Sequence, residues 1–202
     1  DAFAPSGASI PGSEGERGLT AIGARQTEVW PLAMFSVGGL MLFPASNDLL
    51  TMFVALEVMS LPLYLMAGMA RRRRLLSQEA AMKYFVLGAI ASGTLLYGMS
   101  LVYGVTGSLN IGDLQATIGS AEAGSMMLWV GLGFLVAGVA FKFGAVPFHM
   151  WVPDVYQGAP TAVTLFLSSA PKLASFALAY RLLAEGLGGL HDGWQDMLVV
   201  VA

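Results

Sequence analysis

The stretch Met126–Trp151, MMLWVGLGFLVAGVAFKFGAVPFHMW, decides the fold. Its first part is apolar on every side and shows no two-residue alternation, so it does not read as a half-buried strand. About 20 such residues are what a helix needs to cross the hydrocarbon core of a bilayer. In that medium only a helix or a closed barrel satisfies its own backbone groups. One charge, Lys142, interrupts the stretch, with Gly144, Pro147 and His149 close behind it. A lysine at the centre of a membrane helix costs about 2.5–3.5 kcal/mol on insertion scales. Such a residue faces a protein interior or a water-filled path and serves ions or protons.

Four more apolar stretches lie on either side, at roughly 29–46, 49–70, 79–106 and 160–187, and a further one opens at 195–202. The expected fold is therefore all-α, a polytopic transmembrane bundle of five helices over 29–187. Residues 1–28 are rich in Gly, Ser, Ala and charge and read as a soluble loop without a core of its own. They lack the basic start and compact apolar region of a signal peptide. The chain starts at Asp1 and ends inside an apolar run, so it reads as a piece of a longer protein.

Composition agrees. The chain of 202 residues is 56% hydrophobic and only 11% charged, with a mean hydropathy of +0.69. That balance belongs to membrane proteins rather than to water-soluble domains. The absence of Cys excludes disulfides, thiolate metal sites and iron–sulfur clusters, and with two His no His-rich metal site is expected. No cofactor is expected in this chain. No basic arm suggests nucleic acid. Arg71 to Arg74, directly after the second stretch, place that loop on the cytoplasmic side by the positive-inside rule. The 107–125 connection, with Asp113 and Glu122 and no Lys or Arg, then falls outside.

Five ionisable residues in the apolar stretches stand out. Glu57 sits about eight residues, roughly 12 Å, into the second, near mid-membrane. Pro62 frees the carbonyl of Val58 beside it, which suits a proton-carrying or lysine-tuning carboxylate. Lys83 has two readings: a snorkelling lysine paired with Glu79 four residues earlier, or a lysine turned toward Glu57 on the neighbouring helix. Lys142 and His149 stand seven residues apart, but Pro147 intervenes, and the helix is expected to break after about residue 146. Broken helices expose backbone groups and partial charges beside an ion path. His149 is of the residue type that suits a proton relay. Lys172 continues a stripe of Thr161, Thr164, Ser168 and Ser175, a helix face that could hold ordered water.

Two motifs resemble a known family. The run from Lys142 to Pro160, with PFHxWxPDVYxGAP over Pro147–Pro160 and its continuation to Lys172, is one. The other is Leu56-Glu57-Val58-Met59-Ser60-Leu61-Pro62-Leu63-Tyr64. Together they resemble the antiporter-like subunits of the proton-pumping NADH:quinone oxidoreductase, respiratory complex I, and most of all the N subunit. The resemblance covers roughly residues 30–187. It implies that the chain holds the first inverted repeat of such a subunit, with a proline-broken helix, and the start of a further helix. Glu57 falls on the family's fifth-helix glutamate and Lys83 on its sixth-helix lysine. Lys142 matches the lysine of the broken seventh helix, His149 the histidine at the break, and Lys172 the lysine of the eighth. The implied function is proton translocation by these residues, driven by quinone reduction elsewhere, with Glu57 and Lys83 as a charge pair acting on Lys142. The implied partners are the lipid bilayer, protons and the other membrane subunits of complex I, while NADH and quinone bind other subunits. The implied location is the bacterial plasma membrane. A stand-alone or Mrp-type cation/proton antiporter subunit is the alternative.

Overall fold

The computed structural model describes residues 10, 12–22, 28–70, 74–118 and 125–201. Arg71–Arg73 and Glu122, on which the expected orientation rests, lie outside them. A short helix, α1 (Glu14–Ala21), precedes the bundle. Then come α2 (Val29–Ala45) and α3 (Leu49–Ala67), joined by a tight turn. The Asp48 carboxylate accepts a hydrogen bond from the Thr51 N–H at 2.9 Å and caps the start of α3. Both helices carry a proline, Pro44 and Pro62, without being interrupted.

Helix α4 (Arg74–Thr106) has 33 residues, about 50 Å at 1.5 Å per residue. It starts earlier than the 79–106 stretch, so its first turns extend past the apolar part. The connection after it is not bare loop, since it contains α5 (Ile111–Ile118), whose Ile111, Leu114 and Ile118 are buried. Helix α6 (Met126–Phe143) follows, then a turn with a cis Val146–Pro147 peptide, and the short α7 (Trp151–Gly158). Helix α8 (Thr161–Ala179) runs straight into a π-helical segment, Tyr180–Gly186, and α9 (His191–Val201) closes the described chain.

Four of these, Leu49–Ala67, Arg74–Thr106, Met126–Phe143 and Thr161–Gly186, are long and apolar enough to cross a membrane. Helix α2, also apolar, is 17 residues long, at the short end of the spanning range of about 17–25. The protein is a multi-pass membrane protein. Its apolar residues are distributed accordingly, with Leu56, Leu63, Leu95, Leu132, Leu135 and Leu178 in the interior, and Met34, Met41, Leu65, Ile90, Leu173 and Phe176 exposed on the outside. In lipid such an outer surface carries no penalty, so helix contacts depend on close approach rather than on burial from water. Helices α2 and α3 touch where a Cβ on Gly39 would stand 2.4 Å from the Met59 nitrogen, and the Ser36 hydroxyl donates to the Met59 carbonyl at 3.0 Å. Helices α4 and α6 touch where a Cβ on Gly138 would stand 2.8 Å from that of Leu95.

Candidate functional site: a buried lysine at a broken helix

Helix α6 ends at Phe143, three residues before the expected break, because Gly144 takes a left-handed conformation (φ 72°) that a residue with a side chain rarely adopts. The expected fourth span, 126–151, is thereby divided. The Gly144 N–H donates to Phe141 O at 3.0 Å and the Ala145 N–H to Ala140 O at 2.9 Å, the pairing of a Schellman motif. Three carbonyls at this end receive side-chain donors. The buried Trp151 indole N–H donates to Phe141 O at 3.1 Å. The Lys172 ammonium donates to Lys142 O at 3.2 Å and to Phe143 O at 2.6 Å. A helix C-terminus carries partial negative charge and attracts a cation. Lys172 therefore closes the broken helix, and its Nζ also lies 4.9 Å from the centre of the Trp151 ring, within cation–π range.

The side chain of Lys142 points from this helix end toward α3. Its Nζ donates to Ser60 Oγ at 3.3 Å. Ser60 is one turn from Glu57 on the same face. Among the described residues no ion pair joins Glu57 and Lys142 directly. Glu57 Oε1 is buried and has no hydrogen-bond partner among the described residues. Three of the five expected residues, Glu57, Lys142 and Lys172, are thus linked across α3, α6 and α8, through Ser60 on one side and the α6 carbonyls on the other.

The other two are placed differently. Lys83 does not turn toward Glu57: its Nζ lies 2.8 Å from Glu79 and 2.7 Å from Asp154 of α7, with 43% of its side chain exposed. The expected Glu57–Lys83 pair is absent because two closer carboxylates flank the lysine at the outer face. His149 lies exposed in the turn between α6 and α7, and its ring makes no hydrogen bond among the described residues. The stripe on α8 is not a free polar face. Thr164 donates to Tyr156 O and Pro160 O, both at 3.3 Å, Ser168 to Leu165 O at 3.0 Å, and Ser175 to Pro171 O at 2.8 Å. A hydroxyl in an apolar helix finds the carbonyl one turn back as its nearest acceptor.

Sequence reasoning did not single out Ser60, Trp151 or Asp154, although all lie in the quoted motifs; nothing in their spacing names their partners. Arg181 was also passed over. It sits in the π segment, and its guanidinium donates to Pro44 O at 2.6 Å, to Ser46 O, and to Asn47 Oδ1 at 3.1 Å. It thereby closes the end of α2 as Lys172 closes the end of α6.

Residues 46–202 match the family described as NADH:quinone oxidoreductase/Mrp antiporter, TM. NADH-quinone oxidoreductase subunit N of Mycobacterium tuberculosis is 55% identical over 202 residues, which is 100% of this chain and 38% of that protein. Subunit N of a Nocardioides species is 54% identical over 201 residues, again 38% of its length. The chain thus spans well under half of these relatives. Among solved structures, a chain of respiratory complex I from Thermus thermophilus superposes with a TM-score of 0.68 at 42% identity, covering 77% of this chain and 34% of that one. A chain of the Mrp complex from Dietzia superposes at 0.72 with 30% identity, covering 84% and 31%. With four spanning helices, an interrupted α6 and a match over most of its length, the chain belongs to the NADH:quinone oxidoreductase/Mrp antiporter transmembrane family.

Proposed function

We propose that the chain is part of a membrane-arm subunit of a bacterial NADH:quinone oxidoreductase in the plasma membrane, and that it moves protons through Glu57, Lys142 and Lys172. One observation carries the reading. Lys142 is held by a single side-chain hydrogen bond, to Ser60, beside a carboxylate whose Oε1 has no protein partner. A fully satisfied structural ion pair would be locked by its own geometry. This arrangement leaves both groups free to exchange a proton through water. Lys172 is the next acceptor along, on the far side of the α6 carbonyls. Lys83, with Glu79 and Asp154, serves as a surface charge cluster at the Arg74 end, the side proposed as cytoplasmic, and His149 as an exposed group beside the break. Energy comes from quinone reduction in other subunits, which also bind NADH. The comparisons favour this over the Mrp-type antiporter reading, since identity is 42% to the complex I chain and 30% to the Mrp chain.

The test is NADH-driven proton pumping in membrane vesicles carrying Lys142→Ala in the full-length subunit, with NADH oxidation measured on the same vesicles. Loss of both with the complex assembled is the expected result. Unchanged pumping would remove Lys142 from the path and the proposal with it.

A further inference from the structure

Three side-chain polar atoms on the α3 and α4 helices are buried without a hydrogen-bond partner: Glu57 Oε1, Tyr64 Oη and Ser92 Oγ. Tyr64 is 4% exposed and Ser92 5%. They belong to one seam. On α3, Glu57, Ser60 and Tyr64 follow each other at three- and four-residue spacing, and a helical side chain leans toward the N-terminus, so the tyrosine reaches back toward Ser60. On α4, Gly88 and Ser92 are likewise one turn apart. The two faces meet at Gly88, where a Cβ would stand 2.2 Å from Tyr64 Oη. Glycine here lets the phenol lie directly on the α4 backbone. On α6, Lys142 lies one turn past Gly138, which packs on Leu95, and Leu95 is three residues past Ser92. Lys142 meets Ser60 at 3.3 Å, and the helix register places Ser92 on the α4 face between Gly88, which packs on α3, and Leu95, which packs on α6.

A buried polar atom without a partner is destabilising. Three such atoms in one seam are what ordered water satisfies. Tyr64 also has an outward side. A crevice between the end of α3 and the start of α4, lined by Leu65, Gly68, Gln78, Ala81, Met82 and Phe85, opens on the outer surface toward the Arg74 end of the bundle and reaches Tyr64. The ring meets the buried Tyr84 edge-on at 4.6 Å, and Phe85, exposed along the crevice, at 5.8 Å. Tyr84 in turn stacks on Trp151 at 4.8 Å. In this aromatic layer the Tyr64 hydroxyl is buried without a partner among the described residues.

Building on the proton-transfer reading above, we propose that the Tyr64 hydroxyl, with Ser92 opposite, holds the water that links Glu57 to the Arg74 end of the bundle. Tyr64 is then a positioning residue for proton exchange and not a core aromatic. The hydroxyl accepts a hydrogen bond from water on one side and donates to water or the carboxylate on the other. One proton enters as one leaves, and the phenol is restored.

The experiment uses the full-length subunit in the assembled complex, with Tyr64→Phe, which keeps the ring and its stacking, beside Glu57→Gln. Vesicles are assayed for NADH-driven pumping in ordinary and in heavy water. The expected result for Tyr64→Phe is a loss of pumping on the order of tenfold, at the low end of proton-transfer effects, with a larger solvent isotope effect and unchanged assembly. A merely structural tyrosine would leave the isotope effect where it was. If Glu57→Gln stops pumping while Tyr64→Phe pumps normally, this inference is wrong and the proton-transfer reading stands. If neither variant changes pumping, both are wrong. Should Tyr64→Phe fail to assemble, Ser92→Ala decides: a loss of pumping restored by Ser92→Thr supports the water link, and normal pumping in Ser92→Ala overturns it.

Discussion

Lys172 and Lys83 look alike in sequence and do different things. Lys172 donates to two main-chain carbonyls, and Lys83 to two carboxylates at the surface. Replacing Lys172 by Met should therefore leave Lys142 O and Phe143 O without their side-chain donor, a loss of about 1 kcal/mol at partly exposed acceptors. The expected outcome is a lower unfolding midpoint of the detergent-solubilised complex as well as impaired pumping; an unchanged midpoint would show that water replaces the ammonium. For Lys83 the expectation concerns coupling. Lys83→Gln and Asp154→Asn should each reduce pumping, and the double variant should be no worse than the worse single one, since both remove the same contact. Fully additive losses would mean that the two residues act separately. The sequence left Lys83 open between a surface pair and an inward one. The second carboxylate, 71 positions away, is invisible to local spacing.

At the scale of the element, the break in α6 is a property of Gly144 as much as of Pro147. The helix stops where the backbone turns left-handed, and the carbonyls so exposed are taken up by the Schellman pairing, Trp151 and Lys172. Gly144→Ala should cost about 1–2 kcal/mol for the left-handed conformation alone, and its Cβ would also stand 2.7 Å from Val152 Cγ2. We expect a thermal midpoint lower than that of Gly133→Ala, where a Cβ meets nothing within 4 Å. Equal midpoints would show that the turn relaxes freely. The break was legible in the sequence from its prolines and glycine, but its position was not: proline restricts the residue before it, whereas the chain had already left the helix at a glycine whose neighbours tolerate the turn.

Across the whole molecule, the two helix ends closed by cations lie on different sets of helices. Lys172 ties α8 to α6, and Arg181 ties the segment after α8 to the α2–α3 turn. Helix α8 is thereby anchored at two levels. Arg181→Ala should expose the Pro44 and Ser46 carbonyls and speed amide exchange in residues 46–52, with Arg181→Lys intermediate because it lacks the forked donor set. Exchange no faster than in the unmodified protein would show that Asn47, Asn110 and the Leu49–Leu109 backbone pairing hold this turn by themselves.

Periodicity, apolar length and the rarity of charge determine by themselves that this chain is a bundle of membrane helices, because lipid allows an apolar backbone no other open form. The same sparsity of charge marks Glu57, Lys142 and Lys172, since each charged residue in such a medium must have a reason. Only the tertiary structure decides what each one touches: that Lys142 meets Ser60 beside Glu57, that Lys83 is held by Asp154, that the α8 hydroxyls bond to their own backbone, and that Tyr64 rests on Gly88. Those pairings depend on how closely helices approach, and that distance is set by glycines and backbone geometry brought together from distant parts of the chain.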